Sequence, residues 1–332
     1  MRTLCLALLC ATPLRAEPPA IAADIAPVHS LVAGVLGDLG EPSLILPPGA
    51  SPHDHALRPS EARALSEADL VVWIGSELTP QLERNLEALA QDARLLTLAD
   101  LPGTRHRPAR TEPLFEDAHD EAHGHDDHAD EDEHAHEDEH GHEDEHKDAH
   151  AEEDAHGHDA HVHDGDDPHL WLDPENARVW VAAIAAALSD ADPDNAETYS
   201  ANAAEMTKRI EAAETETRET LAASDLPPLV LMHDSLGHYE AVFGLSVLGS
   251  ISPSDAEAPS PTRMTALRDA LPQGACLVAS PGSDMRFAQA LGSDLSVTEA
   301  DPLGAEITPG ADLYPALLTG LATALTSCKT PG

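Results

Sequence analysis

Basic residues are scarce in this chain of 332 residues. It contains 18 Lys and Arg against 61 Asp and Glu, for a formal net charge of −43. Proteins that bind nucleic acid need clustered Lys and Arg to neutralise the phosphates, so this composition argues against a nucleic-acid partner. Aromatic residues make up only 3 % of the chain, and the hydrophobic cores must therefore be built mainly from Ala, Leu, Val and Ile.

Long apolar segments are also missing, since no stretch is long enough to span a bilayer. The N-terminal stretch MRTLCLALLCATPLRA combines one early Arg, a short apolar run and a final Ala16 suited to cleavage. This pattern predicts a secretory signal peptide at residues 1–16, and the alternative is a buried N-terminal strand or helix. Cys10 fits a lipid-modified N-terminus poorly, because the bulky Leu9 precedes it where a small residue is usual.

Cysteine is rare as well, with 4 in the whole chain. Removal of the signal peptide leaves Cys276 and Cys328, and such a pair in an oxidising compartment favours a disulfide. Two buried free thiols are the alternative. A two-cysteine metal site is disfavoured, because neither residue has a nearby His or a second Cys.

What the chain has in excess is concentrated in one block, residues 116–167. The block holds 24 Asp and Glu and 14 of the 21 His, with a single Lys. It cannot bury enough apolar surface to offset the entropy lost on ordering, so we expect a disordered loop.

On either side of this loop, short apolar runs alternate with helical stretches. The alternation predicts an α/β fold with mainly parallel sheets flanked by helices. Helix starts are predicted at Thr79-Pro80 and Asp173-Pro174, each with a polar N-cap and Pro at the first helical position. A helix over residues 193–224 would be about 45 Å long and could brace two lobes. The predicted organisation is an N-terminal lobe at 17–115 that ends with 168–192, the linking helix at 193–224, and a C-terminal lobe at 225–332.

Three of the seven histidines outside the block stand at points where a ligand site is expected. His53 and His233 each follow a predicted strand, and His169 precedes a predicted helix. Asp301 follows a further predicted strand. In open α/β sheets ligands bind beyond the carboxyl ends of strands. Three imidazoles with a carboxylate or water would suit a tetrahedral Zn²⁺ site.

For the other histidines of the two predicted lobes, the sequence gives weaker evidence of metal binding. His55 and His238 are expected not to bind metal. His55 forms only an i, i+2 pair with His53 in a loop, which is not diagnostic of a metal site, and His238 lies inside a predicted helix. His29 is expected to cap a helix or to line the cleft.

Four separated segments, in this order, resemble the substrate-binding proteins of zinc-uptake ABC transporters: SPHDHALRPSEARALSEADLVVWIG, DPHLWLDPENA, HDSLGHYEAVFGL and TEADPLGAEITPG. The similarity covers residues 20–328. It implies a two-lobed α/β receptor whose lobes are joined by one long rigid helix, with the metal in the cleft between them. The family also has a cysteine pair that matches Cys276 and Cys328.

The resemblance implies a set of metal ligands. The metal-binding histidines of the family fall on His53, His169 and His233, and the aspartate of its DPLG motif falls on Asp301. That aspartate is a ligand in the related manganese receptors, whereas zinc members use water or a glutamate in the fourth place. The glutamate would precede the first His, where this chain has Pro52, so water or Asp301 remains.

The function implied is that of a periplasmic receptor, not an enzyme. It would bind Zn²⁺ with high affinity and deliver it to an ABC permease served by a separate ATPase subunit, and we expect it to be a monomer. A zinc buffer or chaperone, a manganese receptor and a zinc hydrolase are the alternatives. Three neutral imidazoles disfavour manganese, and none of the three histidines has a Glu placed as an obvious general base.

The histidine-rich block has a predicted role in this reading. Long His- and acid-rich insertions are typical of the zinc branch of the family, and HxH and HxxxH spacings offer many weak, overlapping sites. We expect the loop to capture Zn²⁺ and raise its concentration near the tight site. Adventitious metal binding by a solvated charge run and a sensor of pH or zinc level are the alternatives. The expected capture residues are His123, His125, His128, His134, His136, His140, His142 and His146.

Overall fold

A computed structural model describes residues 18–115, 165–292 and 295–328. The predicted signal peptide and the predicted capture histidines lie outside these described residues. The predicted loop ends at Asp167, but the structure gives residues 165–167 a defined conformation, and Asp167 is buried.

The first sheet is formed by the N-terminal part of the chain. Its four strands are β1 (Ile21–Ala23), β2 (Ser43–Leu44), β3 (Leu70–Trp73) and β4 (Arg94–Thr97). They lie in the order β2-β1-β3-β4, and all pairs are parallel. Every residue of β3 is buried, as expected for the centre of a parallel sheet that has cover on both faces.

In the described part of the chain, four α-helices precede the long central helix: α1 (Ala26–Leu36), α2 (Pro59–Ser66), α3 (Pro80–Leu89) and α4 (Pro174–Ala191). Both predicted Pro-initiated helices begin where the sequence indicates. The Asp173 carboxylate caps α4 by accepting a hydrogen bond from the Glu175 amide at 2.9 Å. The Thr79 hydroxyl does not cap α3, because it donates instead to the carbonyl of Gly75 at 3.2 Å.

The long central helix, α5, covers Ala196–Ala222 and has 27 residues, which gives a length of about 40 Å. A short 3-10 turn at Pro193–Asn195 precedes it. Although the helix is rich in charge, it has a buried stripe at helical spacing: Tyr199, Ala203, Met206, Ile210, Ala213, Thr217 and Leu221. The helix packs against α1, α4 and the C-terminal helix at Leu313–Thr326. Among the described residues, no helix has both the length and the apolar character needed to cross a membrane.

The second sheet is formed by the C-terminal part of the chain. Its strands are β5 (Leu229–His233), β6 (Val247–Ser252), β7 (Cys276–Ala279) and β8 (Ser296–Glu299). They lie in the order β6-β5-β7-β8, again all parallel. The accompanying helices are α6 (Gly237–Phe243), α7 (Pro261–Ala270), α8 (Met285–Leu291) and α9 (Leu313–Thr326). The two four-stranded sheets and the long helix give the predicted two-lobed α/β architecture.

The hydrophobic core is shared between the two sheets. One cluster of buried residues extends from β1 and β3 through α1, α4, α5 and α9 to residues of β5 and β7, and a smaller cluster lies on the other face of the second sheet. Cys276 of β7 and Cys328, which follows α9, form a disulfide. The predicted disulfide is therefore confirmed, and it fixes the end of the chain to the second sheet.

An extended segment, residues 107–115, links the two sheets on the side of the predicted loop. It pairs first with the turn before α4, through the bridge between Pro108 and Asp166, and then with the edge strand β6, through the bridge between Leu114 and Gly249. A Cβ at Gly249 would lie only 2.0 Å from the carbonyl oxygen of Pro113. Glycine is therefore required for this close approach. We refer to residues 107–115 as the strap.

Candidate metal centre

Three histidines from separate segments converge in the structure. His53 lies in the loop after β2, His169 lies in the turn before α4, and His233 is the last residue of β5. The ring centroid of His169 is 5.6 Å from that of His53 and 5.7 Å from that of His233. The structure thus brings His53 and His233 close to the His169 ring, as sequence reasoning expected.

The three rings line a cavity of about 120 Å³. Trp171, Asp255 and Asp301 also contribute to its wall, so the cavity combines imidazole, aromatic and carboxylate groups. Three imidazoles on one tetrahedral Zn²⁺ would have ring centroids about 5 Å apart, given Zn–N distances of about 2.0–2.1 Å. The observed separations are slightly longer. Consistent with this, no three His, Cys, Asp or Glu side chains in the described ranges are already spaced to hold one ion.

His169 is held by the carboxylate of Asp167. Its ring Nδ1 lies 2.7 Å from Asp167 Oδ1, and its backbone amide donates to the same oxygen at 3.0 Å. Burial raises the pKa of Asp167, but the interactions with His169 and His238 outweigh it and lower that pKa to about 2. The bond occupies Nδ1, so Nε2 is the nitrogen of His169 that is left to bind a ligand.

His233 is neutral at physiological pH. Burial lowers its pKa, and the neighbouring His169 imidazole lowers it further, to about 3. Metal ions bind the neutral form of imidazole, so this side chain does not have to release a proton before binding a cation.

Asp301 lines the cavity, but its carboxylate already organises a turn. One oxygen accepts hydrogen bonds from the amides of Leu303 and Gly304 at 3.0 and 2.9 Å, and the other accepts from the amide of Glu306 at 3.2 Å. The next residue, Pro302, accepts a hydrogen bond from the Trp171 indole at 2.7 Å. This bond ties the Asp301 turn to the segment that carries His169.

Asp255 is a cavity residue that sequence reasoning missed. It lies three positions beyond β6, so the same strand-end rule that selected His53 could have found it. Asp255 also borders a neighbouring cavity of about 380 Å³, which shares His233, Ser280 and Pro281 with the first. Its negative charge acts on His233 in the direction that raises the pKa of that imidazole.

The other described histidines do not line the cavity. His55 Nε2 lies 2.8 Å from a carboxylate oxygen of Glu61, and His106 Nδ1 lies 2.9 Å from a carboxylate oxygen of Asp166. His29 lies inside α1 with its Nε2 atom 3.0 Å from the carbonyl oxygen of Pro42, so it neither caps the helix nor lines the cleft.

His238 is fully buried behind the site. It is the second residue of α6, and its Nε2 atom lies 3.3 Å from the carbonyl oxygen of Asp167. The prediction that His238 is not a cavity ligand therefore agrees with its position, although it touches the residue that holds His169.

The chain is similar to zinc-uptake proteins in comparisons with a family model and with individual sequences. The family model described as zinc-uptake complex component A, periplasmic (ZnuA) matches residues 21–328. The high-affinity zinc uptake system protein ZnuA of Paracoccus denitrificans is 44 % identical over 323 residues, which cover 96 % of this chain and 94 % of the relative. The protein of the same name from Brucella abortus is 34 % identical over 327 residues, with coverages of 97 % and 95 %.

Solved structures share the fold. The crystal structure of a ZnuA superposes with a TM-score of 0.66 at 19 % identity, covering 93 % of this chain and 99 % of that one. The periplasmic zinc binding protein TroA from Treponema pallidum gives a TM-score of 0.68 at 15 % identity, with coverages of 94 % and 99 %. Together with the match over residues 21–328, the sequence identities show that the chain belongs to the ZnuA family of periplasmic zinc-uptake components.

Proposed function

We propose that this protein is an extracytoplasmic receptor that binds Zn²⁺ with high affinity and delivers it to an ABC permease. The observation that carries the proposal is the convergence of His53, His169 and His233 around one small cavity. The ion is cargo that is bound and released. Closing the rings by about half an ångström would bring their centroids to the spacing of a tetrahedral zinc site.

The donor set favours zinc over manganese. Neutral imidazole nitrogen suits Zn²⁺, whereas Mn²⁺ prefers carboxylate, carbonyl and water oxygens. The low pKa of His233 keeps one of these nitrogens unprotonated even in mild acid. Competition between the two ions, followed by isothermal titration calorimetry, tests this point, and tighter binding of Mn²⁺ than of Zn²⁺ would refute the zinc assignment.

Single substitutions test the three-histidine site. Loss of one of four ligands should remove roughly 3 kcal/mol, or about 100-fold in affinity, if the binding free energy is shared evenly. We expect His53→Ala, His169→Ala and His233→Ala each to show such a loss in a chelator-competition assay. His106→Ala is the control, because that ring is 39 % exposed and paired with Asp166. An unchanged affinity in any of the three variants would remove that residue from the site.

We propose Asp301 as the fourth ligand, with a water molecule or the second cavity carboxylate, Asp255, as the alternatives. We favour Asp301, because its carboxylate is fixed by three amides at the cavity wall, and Oδ2, which accepts from only one of them, retains a lone pair for a metal. Asp301→Asn should then weaken zinc binding by about 100-fold. Asp255→Asn is the comparison, since it removes the other cavity carboxylate. If only the Asp255 variant binds weakly, the fourth place belongs to Asp255, and if neither does, it belongs to water.

The partners proposed are a membrane permease and, through it, a separate ATPase subunit. ZnuA-type receptors work with an ABC transporter, and we infer that residues 1–16 are a signal peptide that directs export to the periplasm. N-terminal sequencing of the secreted protein tests the cleavage after Ala16. Deletion of the gene should abolish growth in zinc-depleted medium, whereas normal growth would favour a zinc buffer or chaperone.

The histidine-rich block is proposed to capture zinc for the cavity. A chain of this length, if flexible, has a root-mean-square reach of roughly 40 Å, enough to raise the local zinc concentration at the cavity mouth. Deletion of residues 116–164 keeps Asp167 in place and should slow zinc capture at limiting metal without changing the stoichiometry of the cavity. Equal capture rates in stopped-flow measurements would contradict this role.

One observation favours a second candidate function, that of a zinc hydrolase. The string HEDEH occurs at residues 136–140 and again at 142–146, with the spacing of the H-E-x-x-H motif of zinc peptidases. That motif needs a helix to bring its two histidines together, and the composition of the block does not favour one. Peptide hydrolysis by the zinc-loaded protein that is lost on substitution of Glu137 and Glu143 would establish the hydrolase and overturn the receptor as the sole function.

A further inference from the structure

The carboxylate of Asp167 is buried directly behind His169. Only 6 % of Asp167 and 4 % of His169 are exposed. One carboxylate oxygen, Oδ1, lies 2.7 Å from the ring Nδ1 of His169 and also accepts its backbone N–H at 3.0 Å. An ionised carboxylate can only accept hydrogen bonds. The ring must therefore carry a proton on Nδ1, and in the neutral ring the lone pair then lies on Nε2.

Asp167 is itself fixed from the opposite side. Its amide donates to the carbonyl of Arg107 in the strap at 2.7 Å, and its carbonyl oxygen lies 3.3 Å from His238 Nε2 in α6. The second carboxylate oxygen packs against Gly237, where an added Cβ would lie 2.6 Å from it. The absence of a side chain at position 237 thus creates the space that the carboxylate occupies.

We propose that Asp167 is a positioning residue for zinc binding, which holds His169 in the tautomer and orientation that present Nε2 to the cavity, and that Gly237 provides the room for it. The inference rests on the proposed zinc-binding function. Because Gly237 and His238 follow β5, which ends in His233, the same contacts also set the position of His169 relative to the strand that carries the third imidazole.

Without this contact, the His169 ring could rotate or adopt the Nε2–H tautomer, and that proton would have to leave before metal could bind. Groups that orient metal-binding histidines in this way typically contribute about 10- to 100-fold in metal affinity. The expected effect is therefore smaller than that of removing His169 itself, and it should be accompanied by a change in the protonation pattern of the metal-free ring.

The test uses the full chain with Asp167→Asn, which keeps the shape of the side chain but removes its charge. Its matched control is Asp166→Asn in the same turn, since Asp166 pairs with the exposed His106 ring. Zinc affinity is measured by chelator competition, and the His169 tautomer is read from long-range ¹H–¹⁵N correlation spectra of the metal-free protein, with the signal assigned from its loss in His169→Gln.

We expect the wild type and Asp166→Asn to show a protonated Nδ1 and an unprotonated Nε2 on His169, with affinities within about twofold of each other. Asp167→Asn should populate the Nε2–H form and bind zinc about 10- to 100-fold more weakly. An Nε2–H ring in the wild type, or wild-type affinity in Asp167→Asn, would overturn the proposal. If the wild type binds no zinc, the proposed function fails, while the tautomer of the metal-free ring still tests the positioning role.

A second variant tests the proposal without changing any polar group. Gly237→Ala forces the Asp167 carboxylate to move, and it should weaken zinc binding and alter the His169 signal even where the protein remains folded. Gly320→Ala is the control, because a Cβ at that position meets nothing within 4 Å. Wild-type affinity together with a wild-type His169 signal in Gly237→Ala would overturn the proposal.

Discussion

Arg110 donates two hydrogen bonds to the carboxylate of Asp234, from Nε at 2.9 Å and from an Nη atom at 2.5 Å. Asp234 follows His233 in the chain, whereas Arg110 belongs to the strap. A third bond, of 2.6 Å, joins Arg110 to Glu240 in α6, and the guanidinium lies over the ring of Phe115. The strap is therefore held by charge to the end of the strand that carries one imidazole of the site.

Removal of this arginine should destabilise the second sheet. In Arg110→Met the carboxylates of Asp234 and Glu240 lose their cation while remaining largely buried. Breaking a buried ion pair costs about 3–5 kcal/mol, and we expect about 2–4 kcal/mol here because the Arg110 side chain keeps 26 % of its surface exposed. Urea unfolding of the zinc-free protein measures the loss.

The control for that experiment is Arg209→Met. Arg209 pairs with Asp312, whose side chain is 97 % exposed, and exposed pairs contribute only about 0–1 kcal/mol. If both variants lose the same stability, the pairing of Arg110 has no special role in holding the strap.

Tryptophan fluorescence should report zinc binding through one residue. The chain has three Trp, and Trp171 lies 5.3 Å from the His169 ring, centroid to centroid. A divalent cation bound at His169 would place its charge close to this buried indole, where electrostatic effects are strong. We expect an emission change that saturates at one zinc per cavity, persists in Trp180→Phe and disappears in Trp171→Phe. A zinc-dependent change that survives in Trp171→Phe would argue against binding at this cavity.

The disulfide should contribute substantially to stability. Cys276 and Cys328 are 52 positions apart, and the chain-entropy model gives about 4 kcal/mol for a loop of this size. Replacing both residues by Ala should lower the free energy of unfolding by up to this amount. Reduction of the wild type provides the matched comparison, and equal urea midpoints for reduced and oxidised protein would contradict the expectation.

Asp24 should make stability depend on pH. Burial raises its pKa to about 7, despite hydrogen bonds from the amides of Ile25 and Ile74. Between its unfolded pKa near 4 and this value, the folded state holds a proton that the unfolded state does not. The contribution of Asp24 to the free energy of unfolding is therefore present at low pH and is lost as the pH rises toward 7.

The measurement for Asp24 is the difference in unfolding free energy between wild type and Asp24→Asn from pH 4.5 to pH 8. We expect the wild type to lose on the order of 1–4 kcal/mol relative to the variant across this range. Asp69→Asn serves as the control, because Asp69 is exposed and accepts a hydrogen bond from the Ala20 amide. A difference that does not change with pH would show that Asp24 is not protonated in the folded protein.

Much of the fold follows from local sequence signals. Pro174 with its Asp173 cap marks the start of α4, and Pro80 marks the start of α3, as the sequence predicts. The ends of the strands were predicted less exactly than the starts of these helices. The strand predicted before His53 covers only Ser43–Leu44, although the amides of Ile45 and Leu46 still donate to the carbonyls of Ala23 and Asp24.

The candidate site was partly accessible from sequence. Strand ends and a helix start made three imidazoles candidates, and the resemblance to the zinc-uptake receptors implied that these are the ligands. The proposed role of Asp167 could not be predicted from the sequence. Asp167 looks like one more acidic residue of the adjoining block, and only the fold brings Gly237 against its carboxylate. The Arg110–Asp234 pair was equally inaccessible, because it depends on the strap pairing with the edge of a distant sheet.

The central claim is that His53, His169 and His233 bind a single Zn²⁺ in one cavity. Crystals of the zinc-loaded full chain, with anomalous diffraction recorded on both sides of the zinc absorption edge, test it most directly. We predict that the strongest anomalous peak lies in the cavity, within about 2.0–2.1 Å of one nitrogen of each of the three rings. A strongest peak elsewhere on the protein, or one that contacts fewer than two of these imidazoles, would contradict the account.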